Sequence, residues 1–272
     1  MRLMDGDQMI GAIIGDISGS RFEWHNIKTK EFDLFTHRCH FTDDTVMSLA
    51  VCDALLRSDG NLEELSAQTV RSMQSIGRVY PRCGFGGRFR NWIFERYPRP
   101  YNSWGNGAAM RISGCGYVGS SLEEVKTVSR IVTEVTHNHP EGLKGAEATA
   151  VAVYLARTGK TISEIRKYVT ENYYPLNFTL DDIRDEYTFD VSSQGSVPQA
   201  LEAFFESVSF EDAIRNAISI GGDSDTIAAI TGGIAEAYYG VPEDIRKAAT
   251  KFLDVLLLRV LEDFEKQYPV GK

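Results

Sequence analysis

Residues 41–57 read FTDDTVMSLAVCDALLR and join a pair of carboxylates to the start of a helical pattern. After Asp44, apolar residues recur at the three- and four-residue spacing that places side chains on one face of an α-helix, namely at Val46, Leu49, Ala50 and Ala54. Thr42 is a suitable N-cap, because its hydroxyl oxygen can accept a backbone N–H of the first turn. We therefore predict a helix over residues 43–57.

The same period continues through most of the chain. It predicts further helices over residues 122–135, 143–156, 200–208, 210–218, 226–239 and 245–264. Pro198 suits a first helical turn and Gly240 suits a helix stop. Residues 183–191 alternate weakly and indicate a short strand or an extended loop, and residues 78–107 form the longest candidate loop. The pattern predicts an all-α fold with a single domain over residues 1–272.

Composition narrows the classes of partner. The hydrophobic fraction of 43% is enough for a substantial core, and the net charge is -9. A surface this acidic argues against binding nucleic acid or an anionic membrane through bulk charge, although a local basic cluster could still receive a phosphorylated substrate. No stretch approaches the roughly 20 apolar residues that span a bilayer.

The thiols and the N-terminus favour a reducing compartment. The chain has four cysteines and no C-x-x-C pair: Cys39, Cys52, Cys83 and Cys115. A chain of this size with so few cysteines does not resemble a disulfide scaffold, so we expect reduced thiols. Residues 1–8 lack a basic segment followed by an apolar run, so we expect no signal peptide and a cytoplasmic location.

A second aspartate motif, GGDSDT at residues 221–226, also opens a predicted helix. Helix capping explains one carboxylate at each start, because an acidic side chain opposes the helix dipole. It does not explain adjacent or alternate pairs, which repel one another unless a cation is near. If folding brings both motifs together, the resulting concentration of carboxylates is tolerable only around metal, and oxygen-rich sites suit Mg²⁺ and Ca²⁺.

At these residues the chain resembles the ADP-ribosylglycohydrolase family, whose members include the dinitrogenase-reductase activating glycohydrolases. The resemblance extends over most of the chain and rests on the order and number of its segments. They are residues 11–16 (GAIIGD), Gly19-Ser20, Glu23, residues 41–45 (FTDDT), 84–87 (GFGG), 105–111 (GNGAAMR), Thr136-His137, 196–201 (SVPQAL) and 221–226 (GGDSDT).

The resemblance implies an all-α fold with two Mg²⁺ (or Mn²⁺) ions in one cleft. The metal ligands that it implies are Thr42, Asp43, Asp44, Asp223, Asp225 and Thr226. The residues that it implies contact the substrate are Gly84, Gly86, Gly87, Ser103, Trp104, Gly105, Asn106, Gly107, Met110 and His137. Glu23 matches a glutamate that some members use near the scissile bond. We predict Glu23, Asp43 and Asp44 as the catalytic carboxylates.

These residue types fit hydrolysis of a glycosidic bond. Cleavage builds positive charge on the anomeric carbon, and carboxylates can stabilise that charge, protonate the leaving group or activate water. Two ions about 3.5–4 Å apart can clamp substrate oxygens and lower the pKa of a bound water. Glycines allow backbone N–H groups to approach phosphate oxygens closely. Phe85, Tyr101 and Trp104 are candidates to stack on adenine, although core packing or a surface lid is the more common role of such residues.

The prediction is a hydrolase that releases ADP-ribose from an ADP-ribosylated protein or a small ADP-ribose conjugate, acting as a monomer. The main alternative is a catalytically inactive ADP-ribose-binding or structural protein of the same fold, whose mark would be degraded metal motifs. A haloacid-dehalogenase-like phosphatase fits poorly, because α/β alternation is missing. An isoprenoid synthase fits poorly, because the D-D-x-x-D spacing fails after Asp44. His37, Cys39 and His40 could suggest zinc, but no matching Cys/His pair occurs elsewhere.

Overall fold

The computed structural model describes residues 9–269, and the expectation about residues 1–8 lies outside them. The fold is all-α and forms a single compact domain, as predicted. Its helices are α1 (Ile10–Gly19), α2 (Asp43–Ser58), α3 (Leu62–Gly77), α4 (Gly87–Phe94), α5 (Ser113–Val118), α6 (Leu122–Glu134), α7 (Pro140–Arg157), α8 (Ile162–Asn172), α9 (Leu180–Ile183), α10 (Ser193–Phe205), α11 (Phe210–Ser219), α12 (Ser224–Tyr239), α13 (Glu243–Ala249) and α14 (Val255–Gln267).

Helices α1 and α12 form the centre of the core and position both ends of the site. All ten residues of α1 are buried, as is α12 from Ser224 to Ala237. Their backbones approach so closely that a Cβ on Gly15 would lie 2.0 Å from the carbonyl oxygen of Ala228. At the end of α1, a Cβ on Gly19 would lie 2.5 Å from the Cα of Asp225. Glycine is therefore required where α1 and α12 pack together, and this packing brings the end of α1 to the start of α12.

The start of α1 is satisfied by a distant side chain. Met9 makes no side-chain cap. Instead, the N–H groups of Ile10 and Gly11 donate to the carboxylate of Glu236 at 3.2 and 2.9 Å. Because the first N–H groups of a helix have no partner within the helix, this buried glutamate supplies the missing acceptors.

Two predicted helices differ in the structure. Helix α10 begins at Ser193 rather than at residue 200, and Pro198 lies inside it rather than in its first turn. The reason is an earlier cap, because the side chain of Ser192 accepts from the N–H of Gly195. Helix α7 also begins earlier than predicted, at Pro140 after its cap His139.

The predicted helix over residues 245–264 is wrong as a single element. It is divided into α13, a 3₁₀ turn at Thr250–Phe252 and α14. Leu253 is extended, and Asp254 starts a new helix because its Oδ1 accepts from the N–H groups of Leu256 and Leu257 at 3.0 and 3.1 Å. A local cap therefore prevails over a continuous apolar pattern.

The two stretches predicted to be irregular, residues 78–107 and 183–191, differ in structure. Residues 78–107 contain α4, which buries Phe89, Trp92 and Ile93, so this stretch is only partly a loop. Residues 183–191 form no strand: Ile183 ends α9, residues 184–186 form a turn, and residues 187–191 form a loop, which is the second of the two alternatives. Within residues 9–269, the four cysteines are free, and no helix is long and apolar enough to cross a bilayer.

Candidate metal centre

The two aspartate motifs meet at the ends of α2 and α12. The hydroxyl of Thr226 donates to Oδ2 of Asp44 at 3.2 Å, across 182 positions of sequence. Carboxylate oxygens of Asp16, Asp44 and Asp225 lie within 4.8 Å of one another, and the same holds for Glu23, Asp223 and Asp225. Two overlapping acidic clusters therefore share Asp225.

Asp16 is the member of this group that the sequence did not assign a role. Its side chain is completely buried at the last turns of α1 and holds the first turn of α2. The N–H groups of Thr42 and Thr45 donate to its Oδ2 at 2.9 and 3.0 Å, and both hydroxyls also donate to its carboxylate. A lone aspartate in the apolar run IGAIIGDISG was the available signal.

The first motif caps its helix, and the second does not. Thr42 accepts from the N–H of Asp44 at 3.2 Å, as predicted for an N-cap. Asp223 occupies the N-cap position of α12 but makes no capping hydrogen bond. Its Oδ2 instead accepts from Nδ2 of Asn106 at 2.7 Å. Helix capping therefore accounts for Thr42 in the first motif. It does not account for Asp223 in the second motif.

The turn before Asp223 is built on left-handed glycines. Gly221 and Gly222 have φ values of 71° and 75°, a conformation that favours glycine. Asn26 fixes this turn, because its Nδ2 donates to the carbonyl of Gly222 at 2.9 Å while its Oδ1 accepts the N–H of Gly222 at 2.8 Å. Nδ2 of Asn26 also donates to the carbonyl of Glu23 at 3.1 Å, which ties the Glu23 loop to the second motif.

Two buried oxygens of the cluster have no hydrogen-bond partner among the described residues. They are Oδ1 of Asp44 and Oδ1 of Asp225, and both side chains are 3% exposed. Burial, together with the neighbouring carboxylates, raises the pKa of Asp44 and of Asp225 well above the usual range. A divalent cation would supply the missing partner to each oxygen and remove the penalty of burying like charges, so these residues fit a metal site.

Glu23 and Asp43 are half-buried at the open side of the cluster. Burial and the charges of Asp223 and Asp16 raise the pKa of Glu23 to about 7. Burial and the charge of Asp16 raise the pKa of Asp43 to about 7 as well. Gly84 packs directly on Asp43: its φ is 121°, and a Cβ there would lie 2.6 Å from Oδ1 of Asp43. Gly84 therefore belongs to the site through close approach.

The stretch from Gly105 to Met110 connects the second motif to His137. A Cβ on either Gly105 or Gly107 would lie 3.5 Å from Nε2 of His137. Sδ of Met110 lies 4.0 Å from the hydroxyl of Thr226. Burial, followed by the charge of Arg111, lowers the pKa of His137 well below its usual value, so the imidazole is neutral. The Oγ of Ser103 accepts the N–H of Gly105 at 3.2 Å and thereby shapes the same loop.

Three residues predicted to bind substrate make none of the contacts described for the acidic cluster or for residues 105–110. Gly86 and Gly87 begin α4, and a Cβ on either would meet nothing within 4 Å. Trp104 is 51% exposed and packs edge-on against His139, with ring centroids 5.6 Å apart. The zinc alternative concerned Cys39. This residue is buried, and its Sγ accepts a hydrogen bond from the N–H of Thr36. Among residues 9–269, no cluster with metal-binding geometry includes it.

A cavity of about 550 Å³ opens beside the acidic cluster. Its lining includes Glu23, Thr42 and Gly84 from the site, together with Trp24, His40 and Arg82. The cavity therefore gives the half-buried carboxylate of Glu23 access to solvent.

The model of the ADP-ribosylglycohydrolase family matches residues 7–269. Human ADP-ribosylhydrolase ARH3 is 25% identical, over 95% of this chain and 93% of that protein. ADP-ribosylarginine hydrolase Tri1 of Pseudomonas putida (strain GB-1) is 28% identical, over 77% of this chain and 62% of that protein. A solved ADP-ribosylglycohydrolase-related protein complex has the same fold, with a TM-score of 0.67, 20% identity and 95% of each chain covered.

Proposed function

The chain belongs to the ADP-ribosylglycohydrolase family, and we propose that it uses divalent cations to hydrolyse the glycosidic bond between ADP-ribose and an acceptor. Family membership supports ADP-ribosyl hydrolase activity. The observation that carries the metal-dependent form of the proposal is the pair of orphaned, buried oxygens, Oδ1 of Asp44 and Oδ1 of Asp225, within the convergent cluster.

The ligands in this proposal come from both motifs. Asp44 and Asp225 would hold the ions at the centre, with Asp43, Asp223 and the hydroxyls of Thr42 and Thr226 around them. Two Mg²⁺ or Mn²⁺ ions bound there would orient the ribose hydroxyls and lower the pKa of a water. Asp16 would act as a positioning residue, because it holds Thr42 and Thr45 rather than facing the open cavity.

Glu23 is the proposed proton-transfer residue. It lines the cavity, and its raised pKa of about 7 allows the carboxyl to hold a proton near neutral pH and to deliver it to the departing oxygen or nitrogen. Asn106 keeps Asp223 in place through its Nδ2 donor. His137, neutral and buried, would offer Nε2 beside Gly105 and Gly107 without adding a charge to the phosphate-facing loop.

The proposed substrate is an ADP-ribosylated protein side chain or a small ADP-ribose conjugate. The cavity is lined by the Glu23 carboxylate and by Trp24, Tyr80 and Pro81, so it has space for an acceptor beside the proposed proton-transfer residue. Relatives named for different activities, ADP-ribosylhydrolase ARH3 and ADP-ribosylarginine hydrolase Tri1, match at similar identity, so the assay varies the acceptor linkage.

The experiment is a release assay across linkages. The full chain is incubated with an arginine-linked peptide, a serine-linked peptide or O-acetyl-ADP-ribose, with Mg²⁺ or Mn²⁺ present, and free ADP-ribose is measured. We expect release from at least one substrate, arrest by EDTA, and recovery when Mg²⁺ is restored. Asp225→Asn should abolish release, whereas the exposed control Asp263→Asn should not. Binding of ADP-ribose with no release from any substrate would favour the inactive, ADP-ribose-binding alternative.

A further inference from the structure

Arginines are concentrated in one part of an otherwise acidic chain. Residues 78–107 contain six of the nineteen arginines, no lysine and a single acidic residue, Glu95, and so carry a net charge of +5. The chain as a whole carries -9, so the remaining residues carry -14. We define the arginine surface by these six residues, namely Arg78, Arg82, Arg88, Arg90, Arg96 and Arg99.

Within residues 9–269, the guanidinium groups of the arginine surface have no carboxylate partner. Every one of the six is exposed, and none forms an ion pair with a residue of the described part of the chain. Of the twelve other arginines within residues 9–269, seven pair with acidic side chains: Arg57, Arg130, Arg166, Arg184, Arg215, Arg246 and Arg259. The other five form no such pair: Arg21, Arg38, Arg71, Arg111 and Arg157. Unpaired arginine therefore occurs elsewhere too, and the arginine surface is distinguished by having six arginines and a single acidic residue within residues 78–107.

The backbone beneath the surface is well supported. Nε of Arg78 donates to the carbonyl of Ile93 at 2.9 Å, and Nε2 of Gln74 donates to the carbonyls of Trp92 and Glu95 at 3.0 and 2.9 Å. The ends of α3 and α4 are thereby held side by side. Arg82 lines the cavity that leads to the carboxylate cluster, so the arginine surface begins at the mouth of the site.

Exposed aromatic rings alternate with these arginines. Phe94 is 52% exposed and Tyr97 is 73% exposed, and the guanidinium of Arg96 lies 5.2 Å from the ring centroid of Tyr97. Arginine binds phosphate with paired donors, and an exposed aromatic ring provides a face on which a base can stack. An acidic peptide would use the charges and leave the rings without a partner, and an anionic lipid surface is separated from a nucleic acid by the test below.

From this combination we propose that the arginine surface binds a single-stranded nucleic acid, with its phosphates on the guanidinium groups and its bases on Phe94 and Tyr97. The acidic remainder of the chain repels such a strand and favours its binding at residues 78–107. Binding here needs neither metal nor hydrolysis, so it stands or falls separately from the proposed enzymatic activity.

The test measures binding of a fluorescently labelled oligothymidylate of about 12 nucleotides to the full chain by anisotropy, with EDTA present and at several salt concentrations. We expect saturable binding that weakens as salt rises. R96E/R99E should bind at least about tenfold more weakly and reduce the slope of log affinity against log salt by about 1.4, because each lost phosphate contact contributes about 0.7. The matched control K160E/K167E replaces one lysine just before α8 and one within it, changes the net charge equally and should bind like the wild type.

Two further arms separate a nucleotide polymer from any polyanion. Y97A should weaken oligonucleotide binding about fivefold with no change in salt slope, since it removes a stacking face and no charge. Inorganic polyphosphate of matched charge should compete poorly. Equal binding by R96E/R99E and K160E/K167E would overturn the proposal. So would polyphosphate, or phosphatidylserine vesicles, competing as well as unlabelled oligothymidylate.

Discussion

Asp16 and Thr42 are joined by two hydrogen bonds: the N–H of Thr42 donates to Oδ2 of Asp16 at 2.9 Å, and its hydroxyl donates to Oδ1 at 2.7 Å. The end of α1 thereby fixes the start of α2, where the first aspartate motif lies. Because α1 also packs on the start of α12, a single buried carboxylate connects the supports of both motifs.

Replacing Asp16 tests this support. Asp16→Asn puts an amide group where the donors of Thr42 and Thr45 need acceptors, so we expect the free energy of unfolding to fall by about 2–3 kcal/mol. The affinity for Mn²⁺, measured by calorimetry, should weaken by about 10–100-fold, as when an outer-shell partner of a metal ligand is lost. The exposed control Asp263→Asn should change neither quantity. Unchanged Mn²⁺ affinity in a folded Asp16→Asn protein would argue against this role.

Gly84→Ala tests the close approach to Asp43. The substitution combines a positive φ with a Cβ only 2.6 Å from Oδ1 of Asp43, so it must displace that carboxylate or the loop. We expect ADP-ribose release to fall by about tenfold or more, since a small misplacement at a reacting centre can lower the rate a hundredfold. Gly60→Ala is the matched control, because Gly60 also has a positive φ, of 80°, but has open space around it. Equal activity of the two variants would contradict the expectation.

Asn106→Ala tests the support of Asp223. Nδ2 of Asn106 donates to Oδ2 of Asp223 at 2.7 Å and to Oγ of Ser196 at 3.0 Å. Loss of the donor to the carboxylate should weaken Mn²⁺ binding by about 10–100-fold. Ser196→Ala removes the second contact, together with the hydrogen bond from Oγ of Ser196 to the carbonyl of Asp190, but keeps the donor to Asp223 and should weaken binding far less. A similar loss in both variants would assign the effect to the loop as a whole.

Glu236 predicts a pH dependence of stability that is separate from the metal site. Burial raises its pKa to about 8 in the folded protein, despite the two N–H donors of Ile10 and Gly11. The unfolded chain loses this proton near pH 4.3. Between these values the folded state holds more protons than the unfolded state, so stability falls as pH rises, by up to about 1.4 kcal/mol per unit.

Urea denaturation at pH 5, 6.5 and 8 measures this effect. Glu236→Gln cannot ionise, so its free energy of unfolding should fall less between pH 5 and pH 8 than that of the wild type. Glu262→Gln changes an exposed glutamate and should retain the wild-type profile. Parallel profiles for the wild type and Glu236→Gln would mean that another group is responsible.

Much of the fold and the geometry of the two motifs could be predicted locally. Thr42 marked the start of α2, and carboxylate pairs at two helix starts indicated a shared cation site because isolated pairs repel. The structure brings Asp44 and Thr226 into contact as that argument required. The assignment of roles to individual residues stays a prediction.

Helices α1 and α3 were not predicted from the sequence, and each omission has a physical reason. Helix α1 is buried on every side, so its sequence has no polar face and gives no amphipathic period. Its N-terminal cap comes from Glu236, which no local rule could supply. In α3 the buried face includes Thr69 and Ser72, which weakens the apolar pattern there. Asp16 was overlooked because its role depends on hydrogen bonds from Thr42 and Thr45, which only the folded chain creates.

The most direct measurement is an anomalous difference map from crystals grown with Mn²⁺. We expect two peaks in the space bounded by Asp44 and Asp225, each with carboxylate ligands from these motifs, and loss of both peaks in Asp44→Asn crystals. A protein that releases ADP-ribose with Mn²⁺ while its crystals show no peak between Asp44 and Asp225 would contradict the account.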